Sequence, residues 1–196
     1  GNILAIGDKN AYYYPYYGEV KIYTLPDYSN PVTISNNSYN NNNFGFLVKL
    51  NYEGDIIIIV NDGSPVQEFI IREYQNINGT WTQINTINTG LTNLSENMSR
   101  LKLDFSGDGS TIFIYGYETS YTTSNITAKC YRKSSGSWSQ DTTFDLSSIN
   151  STLFIANSDF TTTNMFYINN AQGAVSCSND GNKVVYKLNY YAYGTT

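Results

Sequence analysis

The sequence predicts an all-β fold made of repeated four-stranded antiparallel units. Three observations carry that prediction. Turns of the Asp-Gly or Glu-Gly kind, each followed by a short β-branched run, recur along the chain; a Gly-x-Trp-x-Gln ending occurs twice, at Gly79–Gln83 and Gly136–Gln140; and the composition is polar without being charged. Charged residues make up 14% of the 196 residues and aromatics 15%, with 19 tyrosines, 26 Asn, 20 Ser and 20 Thr. Such a balance suits strands joined by exposed turns and argues against coiled coils and charge-driven disorder. The length suits one domain, residues 1–196, with enough chain to bury a core.

The first unit, residues 1–43, opens with Ile3–Ile6 as a strand and continues with Val20–Tyr23. The second, residues 44–97, reads as four strands at Phe44–Leu50, Asp55–Asn61, Glu68–Gln75 and Thr80–Ile87. Its run Ile56-Ile57-Ile58-Ile59-Val60 is apolar on both strand faces, which predicts a sheet packed between two neighbouring sheets. The third unit, residues 98–172, reads as Ser99–Phe105, Thr111–Tyr117, Asn125–Lys133 and Ser137–Leu146, followed by an insert at 149–172. That insert is longer than an ordinary connection and is expected to hold a specialised contact or another hairpin. The last unit, residues 173–196, stops after its second strand, Lys183–Tyr191.

Gly1, Gly54, Gly109 and Gly181 mark the same place in each unit, at spacings of 53, 55 and 72 residues. Units of roughly 40–50 residues with four strands are the signature of β-propeller blades. The expectation is therefore a β-propeller-type repeat with about three and a half blades in this chain. A ring closes with about four to eight blades, so completion is expected from a longer chain or from identical copies, two of which would nominally give about seven. The opening Gly1-Asn2-Ile3-Leu4 lacks methionine, as expected of a processed product or a fragment.

Phe44-Gly45, the Glu53-Gly54-Asp55 turn, Ser178-Asn179-Asp180-Gly181-Asn182 and the two Gly-x-Trp-x-Gln endings resemble FG-GAP-type, integrin-alpha-like β-propeller repeats. Where that pattern has Gly-Ala-Pro, this chain reads Ile6-Gly7-Asp8, Val60-Asn61-Asp62-Gly63 and Tyr115-Gly116-Tyr117. The resemblance implies binding, often extracellular, as in adhesion heads, bacterial surface proteins and virion proteins. It also implies a place to look for calcium. Asp104, Ser106 and Asp108, followed by Gly109, offer oxygen ligands at alternate positions, although Ile112 and Tyr115 stand where a closing acid is needed. The competing reading is a plain Asp-Gly hairpin turn.

The histidine-free composition removes the commonest general base and transition-metal ligand. Catalysis would have to rest on carboxylates, with Asp8, Asp62, Asp108, Glu118 and Asp141 nearest the turns; no spacing singles out a pair. The net charge of −5 and the scattered lysines and arginines argue against nucleic acid. The longest apolar run is far short of the roughly 20 residues of a spanning helix. Tyr12, Tyr13, Tyr14, Tyr16 and Tyr17 crowd one loop around Pro15, and Tyr190, Tyr191 and Tyr193 crowd the C-terminus. Such rings suit recognition of sugars or protein surfaces, or packing against a neighbouring blade. Trp81 and Trp138 are expected to pack the outer strand against the next blade. Cys130 and Cys177 allow one disulfide or none. The expected function is a non-enzymatic structural or recognition protein of a virion or cell surface, contacting protein subunits or glycans. A glycan-processing enzyme and a calcium-dependent adhesion module are the alternatives.

Overall fold

The computed structural model describes residues 2–9, 11, 18–35, 43–63, 68–92, 101–119, 124–142 and 174–187. They form thirteen strands in four antiparallel sheets, none closed on itself. The first sheet contains β1 (Ile3–Asp8), β2 (Glu19–Thr24) and β3 (Val32–Ser35). The second runs β4 (Leu47–Leu50), β5 (Ile56–Gly63), β6 (Glu68–Ile77) and β7 (Thr80–Thr92) in sequence order. The third repeats this with β8 (Lys102–Phe105), β9 (Thr111–Thr119), β10 (Ser124–Ser134) and β11 (Ser137–Gln140). The fourth pairs β12 (Ala174–Cys177) with β13 (Val184–Lys187). The all-β class and the four-stranded antiparallel units are as the sequence predicts.

The sequence landmarks fall in one register. Tyr23, Tyr74 and Tyr131 lie opposite Leu4, Ile57 and Ile112, the second residue of β1, β5 and β9 in turn. Two residues earlier on the same strands, Lys21, Arg72 and Lys129 oppose Ile6, Ile59 and Ile114. Trp81 and Trp138 oppose Asn76 and Lys133, each two residues beyond the tyrosine. One template thus describes three sheets.

Packing follows from the apolar alternation. Ile57 and Ile59 face the first sheet, in a cluster with Val20, Ile22, Ile34, Phe44 and Tyr74. Ile58 and Val60 point the other way, into a cluster with Phe69, Ile71, Phe105, Ile112, Ile114 and Tyr131. All four β5 side chains are fully buried. At roughly 2 kcal/mol each, they hold the second sheet from both sides. The core therefore lies between sheets, as the uninterrupted run Ile56–Val60 predicts.

Several boundaries are corrected. The strand expected over Phe44–Leu50 begins only at Leu47, because Asn43 and Gly45 have φ of 60° and 82° and bend the chain into a turn. The strand expected to end at Ile87 runs on to Thr92, past register shifts between Glu68 and Ile70 and between Glu73 and Tyr74. The strand expected over Ser137–Leu146 ends at Gln140 among the described residues, with a turn at 142. β3 supplies the last strand of the first unit, at residues that the sequence landmarks do not mark. Both tryptophans pack toward the preceding sheet rather than the next one: Trp81 joins the cluster with the first sheet, and Trp138 the cluster with the second.

Candidate functional site

The turns between the first two strands of each unit line up from sheet to sheet. Gly54, Gly109 and Gly181 all have positive φ, and each packs on the first residue of a strand in the sheet before. A Cβ on Gly54 would lie 3.1 Å from Ile3 Cγ1, on Gly109 3.2 Å from Ile56 Cδ1, and on Gly181 2.1 Å from Thr111 Oγ1. The same step thus relates four successive sheets. Backbone hydrogen bonds reinforce it: the Tyr52 amide donates to the Gly107 carbonyl and the Asp108 amide to the Asn179 carbonyl, both at 2.8 Å.

Inside each turn one side chain gathers the amides. Asn51 Oδ1 accepts from the amides of Gly54, Asp55 and Ile56 at 3.0–3.1 Å. Ser106 Oγ does the same work for Ser110 and Thr111, and Ser178 Oγ for Lys183. Both serines donate to an aspartate two residues on, Ser106 to Asp108 Oδ1 at 2.6 Å and Ser178 to Asp180 Oδ1 at 2.5 Å. Burial pushes the Asp108 carboxyl up, but hydrogen bonds from Ser106 and Ser110 outweigh it and hold the group below its ordinary value. The more exposed Asp180 is held at about 2 by Ser178 and Asn182.

Asp104 is turned to a different task. Its Oδ1 meets Lys49 Nζ of the second sheet at 3.0 Å, and its Oδ2 accepts from the Cys177 amide of the fourth at 2.6 Å. The three residues with calcium-type spacing therefore separate into a sheet-to-sheet tie, Asp104, and a self-bonded turn, Ser106 with Asp108. Among the described residues no group of three or more His, Cys, Asp or Glu side chains is placed to hold a metal ion.

A second polar joint was invisible in the spacing. Glu73, on β6, has a fully buried side chain. Its Oε1 meets Lys133 Nζ at 2.6 Å, while Oε2 accepts from Trp138 Nε1 at 2.8 Å and from Asn85 Nδ2 at 2.7 Å. The Lys133 ammonium also lies 5.7 Å from the Trp138 ring centroid. With this many partners the buried carboxylate is compensated, and it ties the second sheet to the third. Its signal in the sequence is an acid on the same strand face as Ile71, in the run Phe69-Ile70-Ile71-Arg72-Glu73-Tyr74. Nearby, Lys129 Nζ donates to the Thr89 carbonyl of the second sheet, which Tyr131 Oη also reaches at 3.3 Å. Arg132 reaches the fourth sheet through the Gly181 carbonyl at 2.6 Å and holds Asp141 at 3.3 Å.

The outer face of the first sheet differs from its counterparts. Leu4 is 40% and Ile6 49% exposed, and Tyr28, whose ring lies 6.3 Å from that of Tyr23, is 57% exposed. Among the candidate acids, Asp8 is exposed on β1, Asp62 and Glu118 lie on β5 and β9, Asp108 in its turn and Asp141 beside Arg132. Tyr12, Tyr13, Tyr14, Tyr16 and Tyr17, the C-terminal tyrosines and the insert at 149–172 lie outside the described residues. Cys130 and Cys177 are both free thiols. No protein family, curated protein or solved structure matches this chain.

Proposed function

We propose that this chain is a non-enzymatic structural and recognition protein, its sheets being blades of a β-propeller of the FG-GAP type within a virion or cell-surface assembly. The observation that carries the reading is the repeated seat of Gly54, Gly109 and Gly181 on Ile3, Ile56 and Thr111. A constant step between four-stranded antiparallel sheets stacked face to face is what blade-on-blade packing requires. Blades so stacked spend their faces on one another and leave turns and edges to meet protein subunits or glycans. Asp104 on β8 and Asp108 in its turn support a non-enzymatic role, because both are bound up in holding sheets and turns together.

The test combines an immobilised glycan and polysaccharide panel with hydrolysis assays on the same panel. Retention without product release is the expected result. Turnover that disappears in Asp108→Asn would replace this reading with a glycan-processing one. Small-angle scattering tests the blade arrangement, which predicts a curved row of sheets rather than a two-layer sandwich.

A further inference from the structure

The geometry points to the outer face of the first sheet as a docking site for the last sheet of a second copy of this chain. The chain itself contains two covered versions of that face. Leu4 and Ile6 hold the register positions of Ile57 and Ile59 in the second sheet and of Ile112 and Ile114 in the third. Those four isoleucines are completely buried, against 40% and 49% exposure for Leu4 and Ile6. Tyr23 likewise matches Tyr74 and Tyr131, which are 9% and 4% exposed.

What covers these positions is the same in both cases: the inward face of the preceding sheet. Val20, Ile22 and Ile34 close over Ile57, Ile59 and Tyr74, and Ile58, Val60 and Ile71 close over Ile112, Ile114 and Tyr131. A polar contact accompanies the second of these joints. Lys129 donates across the joint to the Thr89 carbonyl, whereas its first-sheet counterpart Lys21 folds back onto Glu19 at 2.8 Å. The first sheet therefore displays an apolar patch flanked by a lysine, shaped for another sheet of this repeat.

Among the described residues such a sheet stands at the far side of the row. The pair β12–β13 is the last of the row among the described residues, and Val185 and Lys187 take the register positions of Ile58 and Val60. First sheet against last sheet is a head-to-tail contact, which closes into a ring or extends into a fibre according to the rotation it imposes. This inference rests on the blade reading for the equivalence of positions and names the partner that reading leaves open.

Analytical ultracentrifugation of the full chain, over micromolar to submillimolar concentrations, tests it. The expected result is a mass that rises above 22.0 kDa with concentration. In the Leu4→Glu/Ile6→Glu variant, association is expected to weaken at least about a hundredfold, the scale of two lost apolar burials, with an unchanged circular dichroism spectrum. Hydrogen exchange on the unsubstituted chain decides the matter should the variant misfold: residues 3–8 and 19–24 gain protection as concentration rises. A monomer at every concentration, association that the variant leaves intact, or protection indifferent to concentration would each overturn the docking site. A monomer whose scattering still fits a curved row of sheets would overturn the docking alone and leave the blade reading standing.

Discussion

The Trp138 indole donates to the Glu73 carboxylate, Nε1 to Oε2 at 2.8 Å, joining β11 of the third sheet to the middle of the second. Sixty-five residues of chain separate the two. Because Lys133 and Asn85 share the same carboxylate, each partner is worth more in place than its single bond suggests.

Removing the acid is therefore expected to cost more than removing one donor. Glu73→Ala leaves the Lys133 ammonium and the Trp138 N–H without their partner and should destabilise by about 3–5 kcal/mol. Trp138→Phe removes one donor and some packing against Phe105, and should cost about 1–3 kcal/mol. Urea titrations of both variants and of the double variant check this, with strong non-additivity expected.

Gly181 and Gly136 make a matched pair. Both have positive φ, 66° and 82°, so alanine costs each roughly 1–2 kcal/mol of backbone strain. Around Gly136 a Cβ meets nothing within 4 Å, whereas at Gly181 it would lie 2.1 Å from Thr111 Oγ1. Thermal melts should show Gly181→Ala as clearly the worse, and the difference measures the sheet-to-sheet seat alone.

Acid should act on the turns before the core. Asp180 is held at about 2 chiefly by the Ser178 hydroxyl, against an ordinary 3.8. The folded state thus favours the ionised form, so its contribution is present above about 3.8 and is lost as pH falls through about 2. In Ser178→Ala the carboxyl should titrate nearer its ordinary value, read by NMR of the side-chain carbon.

Alkali should act on the core. Burial pushes both the Cys177 thiol and the Tyr131 phenol up to about 12, from 9.0 and 10.0. Above pH 9 the unfolded chain gives up these protons first, so stability should fall steadily as pH rises from about 9 to about 12. Urea midpoints at pH 8 and pH 11 check the sign. At pH 8 thiol reagents should modify Cys177 slowly until urea is added.

Much of this architecture was legible because its signals are local. A turn glycine, the tyrosine closing each third strand and a doubly apolar run each lie within a few residues. They correctly placed β5, β6, β9 and β10 and the sheet sandwiched between two others. β3 escaped because Val32-Thr33-Ile34-Ser35 is short, follows Pro31 and buries only Ile34. Asp104 looked like a cation ligand because its neighbours in sequence are oxygen donors. Its actual partners, Lys49 and the Cys177 amide, come from other sheets, and spacing along one strand carries no trace of them. The Glu73 joint was hidden for the same reason.

In the second sheet β5 has no wet face, since it sends alternate side chains into both apolar clusters. A row of this kind loses order from its ends, and among the described residues the first and fourth sheets each lean on a single neighbour. The amides of Ile57–Val60 should therefore be the last to exchange, and their rate reads the lifetime of the whole row. Those of β1 and β13 report only how often an end lets go.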